Sequence, residues 1–264
     1  MVDVTRRSFA VFLLLCIPPC FTGAVNAGEL TEHSSQKLTL HFAGAGAHTL
    51  EVRAIEGDIT VQAYDGADVE MIVDRSVTAE NDAEMRAARR DVVLDTGDAA
   101  ATIHAIVRYP DRQTCGGATG YRSRPGYHVR FDFTIRVPRA VRLQLCTINS
   151  GIVRVSGTVG DFDVNNVNGR ITLTDVAGSG NAVTVNGAVA ASFVSAPQRS
   201  STFRTINGDV TITLPDAATA EFHMKTFNGH VFSDSAAKPT RAGNGGPDLR
   251  LESLNGDVRV LRAH

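Results

Sequence analysis

Five copies of an apolar residue followed by Asn-Gly punctuate the second half of this 264-residue chain. They are Val167-Asn168-Gly169, Val185-Asn186-Gly187, Ile206-Asn207-Gly208, Phe227-Asn228-Gly229 and Leu254-Asn255-Gly256, with glycines 18, 21, 21 and 27 residues apart. Looser copies stand at Ile55-Glu56-Gly57 and Asn149-Ser150-Gly151. Self-similarity at such a period is the mark of a repeat architecture, in which each unit buries its apolar face only against its neighbours. The flanks repeat too. Two residues after each glycine comes an apolar side chain (Ile59, Val153, Ile171, Val189, Val210, Val231, Val258), usually with another two further on. Apolar pairs precede the glycine by seven and five residues, as in Leu50/Val52, Phe162/Val164, Phe222/Met224 and Leu249/Leu251. A small polar residue, as in Thr184, Thr205, Thr226 and Ser253, lies between these and the corner. Each unit is therefore two short strands of period two, joined where the alternation breaks.

Asn-Gly is also the strongest short hairpin signal. A two-residue hairpin would pair Ile206 with Asp209, Thr205 with Val210, Leu254 with Asp257 and Ser253 with Val258. Apolar then meets polar every time and neither face is dry. If the chain instead turns a corner at Asn-Gly, both strands direct their apolar residues to one interior and like positions stack. The glycine would supply the unusual φ of the corner, and the asparagines could hydrogen-bond along the stack. The expected fold is all-β: β-solenoid rungs, parallel β-helix-like, in the C-terminal half. Gly57, Gly151, Gly169, Gly187, Gly208, Gly229 and Gly256 are its structural repeat positions.

The first copy is separated from the others by an insert. Val129–Val137 alternates without a fault and predicts a strand with one buried and one wet face. Asp68–Asp74 and Thr102–Val107 read as its partners. Thr78 is placed to cap a short helix over Ala79–Arg90, acidic early and basic late as the helix dipole favours. Residues 28–140 are thus expected to form a β-rich N-terminal half with antiparallel strands and that helix, and 141–264 consecutive rungs. The two should share one core.

Residues 1–27 have the order of a secretory signal: Arg6-Arg7, an apolar run from Phe9 to Ile17, then small residues up to Val25-Asn26-Ala27. The run is shorter than the ~20 residues of a membrane span. Export to the periplasm or beyond is expected, by the general secretory route, with the twin-arginine route as the alternative. The mature chain then carries 24 basic and 27 acidic side chains. That balance argues against nucleic acid as a partner, and no further apolar segment is long enough to cross a bilayer. Cys115 and Cys146 remain in an oxidising compartment. A disulfide between them would close a loop of about 31 residues, worth roughly 3.5 kcal/mol on a chain-entropy estimate.

The signal, the Asn-Gly repeats and the alternating strand before Pro138 resemble the bacterial secreted β-strand-repeat proteins known as putative adhesins. The resemblance covers most of the mature chain and implies a β-helix-like fold and an envelope location. It brings no catalytic residues.

Among recognisable catalytic signatures there is no nucleophile elbow, zincin motif or phosphate-binding glycine loop. Gly178-Ser179-Gly180 reads as a turn between rungs. No cofactor is expected. Asp209, His230 and Asp257 follow the glycines of three successive units and would stack about 4.8 Å apart, so they are candidate metal ligands, beside the alternative that Asp is simply common next to turns. The other candidate is the segment from Arg108 to Arg130, with five arginines, one acidic residue and three of the four tyrosines. In it Tyr121, Arg122, Arg124 and Tyr127 are the expected binding residues. Arginine's fork suits carboxylates and phosphates, and Arg and Tyr are common hot-spot residues.

These features point to a non-enzymatic, adhesin-like envelope protein that binds an anionic glycan, a lipid head group or an envelope protein. Two alternatives are a Ca²⁺-dependent, polysaccharide lyase-like β-helical enzyme and a self-assembling structural protein. The last would associate through its terminal rung, expected to be the final strand Asp257–Leu261.

Overall fold

The structure is a computed structural model that describes residues 29–44, 46–99, 101–109, 126–234 and 246–263. In chain order the elements are β1 (Leu30–Leu40), β2 (Thr49–Arg53), β3 (Ile59–Tyr64), β4 (Val69–Ala79), α1 (Asp82–Asp91), β5 (Val93–Ala99), β6 (Thr102–Arg108) and β7 (Tyr127–Pro138). The series of short strands follows: β8 (Arg142–Cys146), β9 (Val153–Ser156), β10 (Phe162–Asn165), β11 (Ile171–Val176), β12 (Gly180–Val183) and β13 (Val189–Phe193). The last are β14 (Ser201–Asn207), β15 (Val210–Pro215), β16 (Glu221–Asn228), β17 (Val231–Ser233), β18 (Asp248–Asn255) and β19 (Val258–Ala263).

These strands form two sheets, and from β8 onward the chain visits them alternately. One sheet has the order β1-β4-β7-β3-β9-β11-β13-β15-β19-β17, the other β16-β18-β14-β12-β10-β8-β2-β6-β5. Pairing is parallel except for β1 with β4, β4 with β7 and β5 with β6. The expected stacking of like positions is therefore present, as two largely parallel sheets facing each other. Val153, Ile171, Val189, Val210 and Val258 lie in register on successive strands, and all are fully buried. In the other sheet Gly180 and Ala182 leave room for the largest core side chain nearby. Phe203 packs 6.3 Å from the Phe162 ring and edge-on to Phe193 at 5.9 Å. One contiguous apolar cluster runs from Leu50 to Val260, across both halves.

The spatial order departs from chain order at both ends. The β2–β3 rung sits between β6–β7 and β8–β9, and the last rung, β18–β19, sits between β14–β15 and β16–β17. The expectation that the final strand ends the stack is thus corrected: β19 pairs on both sides, with β15 and β17. The open end is the penultimate rung. Two further expectations shift. Thr78 and Ala79 belong to β4, held there by pairing with β1 and β7. The cap falls to Asn81, whose Oδ1 accepts from the Ala83 and Glu84 N–H groups at 3.0 Å. Of the two expected partners of β7, β4 pairs with it, whereas β6 lies in the opposite sheet, parallel to β2.

Candidate functional site

The corners come first, because they fix every side chain near them. The six asparagine carboxamides form one chain of hydrogen bonds. Asn168 donates to Asn149 at 3.0 Å, Asn186 to Asn168 and Asn207 to Asn186 at 2.7 Å, Asn255 to Asn207 at 2.8 Å and Asn228 to Asn255 at 2.7 Å. Beneath it runs a row of glycines. A Cβ on Gly208 would lie 2.2 Å from the Gly187 carbonyl oxygen, and one on Gly169 1.8 Å from that of Gly151. The expected positive φ is present at Gly57, Gly187, Gly208 and Gly256 but not at Gly151, Gly169 or Gly229, so the requirement shared along the whole row is close backbone approach. The small polar residues complete the corner: Thr184, Thr205, Ser253 and Thr226 each donate a hydroxyl to a glycine carbonyl one strand away, at 2.7–2.9 Å.

The structure does bring Asp209, Asp257 and His230 into one column, in that order. Their oxygens are already engaged. Asp209 Oδ1 accepts from the Asp257 N–H at 2.8 Å, and Asp257 Oδ1 from the His230 N–H at 2.9 Å. Arg259 reaches both carboxylates, donating to Asp209 Oδ2 at 2.8 Å and to Asp257 Oδ2. The Asp257 N–H and the Arg259 guanidinium together hold the Asp209 carboxyl below the usual carboxylate range. Asp132 and Asp58 repeat the device at the other end. Asp132 accepts from the Asp58 N–H at 2.7 Å and Asp58 from the Ile152 N–H at 3.0 Å. Arg130 and Arg154 supply the positive charge. Burial pushes Asp58 upward, but the Ile152 N–H and the two guanidiniums outweigh it, and its pKa is lowered. Such columns pin neighbouring strands together. A cation at Asp209 and Asp257 would have to compete with the Arg259 guanidinium for both carboxylates.

A second cluster escaped the sequence because its members come from β16 and β18, strands that are neighbours in space but not consecutive in the chain. His223 Nε2 lies 3.6 Å from both Glu221 and Asp248. One nitrogen and two carboxylates could ligate a metal, but all three side chains are solvent-exposed.

Of the arginine and tyrosine residues, Tyr121, Arg122 and Arg124 lie outside the described residues, as does Cys115. Tyr127 is described, and it is not available to a ligand. It begins β7 opposite Ala79 and is 7% exposed, its ring in the core. The stems of the segment are fixed. Tyr109 donates its hydroxyl to the Val129 carbonyl at 3.2 Å, and the Gly126 carbonyl accepts from the Glu80 N–H at 2.9 Å. Ser179, in the Gly-Ser-Gly stretch, is 5% exposed, and its Oγ accepts from the Gln198 and Arg199 N–H groups at 3.0 Å. It ties neighbouring loops together. Among the described residues no helix is long and apolar enough to cross a membrane.

With this geometry in view, residues 47–261 match the model of a family described as Toastrack DUF4097. Among solved structures the chain is similar to a putative cell adhesion protein from Clostridium sporogenes, at 9% identity and a TM-score of 0.45, over 87% of this chain and 100% of that one. A putative adhesin from Bacteroides fragilis is similar at 10% identity and 0.41, over 88% and 97%. A putative lipid binding protein from Parabacteroides distasonis is similar at 9% and 0.29, over 87% and 97%. No curated protein matches.

Proposed function

The chain belongs to the Toastrack DUF4097 family, and from that premise we propose that it is an exported, non-enzymatic binding module of the bacterial envelope. Its ligand is an anionic envelope polymer, recognised through the carboxylates or phosphates that Arg122 and Arg124 would pair with. Tyr121 would add an aromatic contact; Tyr127 is withdrawn from this role because it is buried.

The observation that carries this reading is how the arginine-rich segment is mounted. It leaves the fold at Tyr109 and returns at Gly126, and both stems are hydrogen-bonded to the scaffold. Cys146, at the end of β8, is disulfide-bonded, which supports a bridge to Cys115 within the segment. A charged segment whose two stems are held on a rigid double sheet, and which a bridge to Cys115 would hold at a third point, loses less entropy on binding than a free loop. Export rests on the signal-like residues 1–27, and a Cys115–Cys146 bridge would fit that compartment.

Retention by an envelope extract tests the proposal. Mature protein is expected to retain an anionic polymer in a salt-sensitive manner, and an Arg122→Ala/Arg124→Ala variant to lose at least tenfold of that retention. Equal retention by both removes the segment from the function. Retention of a neutral glycan, a lipid or a protein in place of an anionic polymer would redirect the assignment of the ligand.

A further inference from the structure

The end of the stack that the last rung leaves uncovered carries its own message. β16 is the edge of one sheet and β17 the edge of the other, so both sheets stop at a single rung. Among the described residues nothing pairs with the outer side of either strand. Among the described residues, five of the ten exposed large apolar side chains lie on this rung and its neighbour: Phe227, Val231, Phe232, Leu254 and Leu261. Phe227 is 77% exposed, an unusual setting for a phenylalanine that heads the corner row. Natural sheet edges are ordinarily blunted by charge or covered.

The opposite end is built differently. There β1 is the edge strand, antiparallel to β4, and it carries Glu32, His33 and Lys37. The other sheet ends at β5, with Asp95 and Asp98, and α1 packs against β4 and β7 at that end. Both ends carry charged side chains, but one is an antiparallel pair flanked by α1 and the other a parallel rung, so head-to-tail growth is disfavoured.

The open end does match itself. A two-fold axis brings β16 against a second β16 in antiparallel sense. Centred on His223, that pairing sets Glu221 opposite Lys225 of the other copy, twice, on the outer face. On the inner face it sets Phe222 opposite Met224, also twice. Opposite charges meet and apolar residues meet, in a strand whose side chains alternate inward and outward. We infer that the chain forms a closed tail-to-tail dimer through its β16–β17 end, the occupant of that edge being a second copy. This requires nothing of the ligand assigned to Arg122 and Arg124.

Sedimentation velocity over a range of concentrations tests it on the mature chain. A monomer–dimer equilibrium is expected. Lys225→Glu should weaken the dimer at least tenfold by setting like charges opposite each other, and Glu221→Lys/Lys225→Glu should restore it. Phe227→Asp, at an exposed site, should also weaken it while leaving the circular dichroism melt unchanged. For position, His223→Cys should give a disulfide-linked dimer on oxidation, and Ser34→Cys on β1 should not. A monomer at all concentrations, growth without limit, or a Lys225→Glu variant that dimerises as wild type would each overturn the inference.

Discussion

At the scale of single residues, the corner is held by groups that act along the stack rather than within one rung. Asn186 both donates to Asn168 and accepts from Asn207. Its replacement by Ala is expected to cost about 1–2 kcal/mol, since two exposed hydrogen bonds are lost and their partners return to water. Gly208→Ala should be worse, about 3 kcal/mol or more, because the added methyl meets the Gly187 carbonyl carbon and oxygen within 2.5 Å. Urea titration of the two variants measures both. Asp209 supplies a pH prediction. Its carboxyl titrates lower in the folded chain than at the ordinary unfolded value near ~3.9. Its stabilisation is therefore complete above that value and is lost as pH falls through the lower folded one. Asp209→Asn should lower the urea midpoint at pH 7 and narrow the difference between pH 7 and about pH 3. An unchanged difference would show that the Asp257 N–H and Arg259 do not stabilise this carboxylate.

At the scale of elements, each strand's inward residues were legible from the period-two alternation, and so was the corner, because Asn-Gly recurs with the same flanks. Tyr127 shows the same rule unapplied. Val129, Phe131, Phe133, Ile135 and Val137 face inward, and the same parity carried two residues back places Tyr127 inside. Arg259, two residues beyond Asp257 on the same face, likewise signals that the column is neutralised. The helix start was less legible, since Thr78 and Asn81 are both good caps and only the pairing of β4 with strands far along the chain decides between them. Phe203 tests the packing of these elements. Fully buried against Phe162 and Phe193, it faces Ala182 across the sheet. Phe203→Ala should cost about 3–5 kcal/mol, read as a shift in the thermal or urea transition. A loss under about 1 kcal/mol would mean that neighbouring side chains collapse into the space.

At the scale of the whole molecule, the order of the rungs was not legible, and the reason lies in the repeat itself. Leu249, Leu251 and Ser253 pair in one register with Ser201, Phe203 and Thr205, and in the same register with Phe222, Met224 and Thr226. One rung can pair in the same register with two others, so local pattern alone does not say which neighbours which. That degeneracy lets β18–β19 enter between two earlier rungs, and it transfers the open end, with its exposed Phe227 and Phe232, to β16–β17. The position of the last rung underlies the account of the free edge. Amide hydrogen exchange followed peptide by peptide tests it most directly. Backbone groups of β19, paired on both sides, should exchange more slowly than those of β17, paired on one. Faster exchange in Val258–Ala263 than in Val231–Ser233 would contradict the arrangement and return the chain's last strand to the end of the stack.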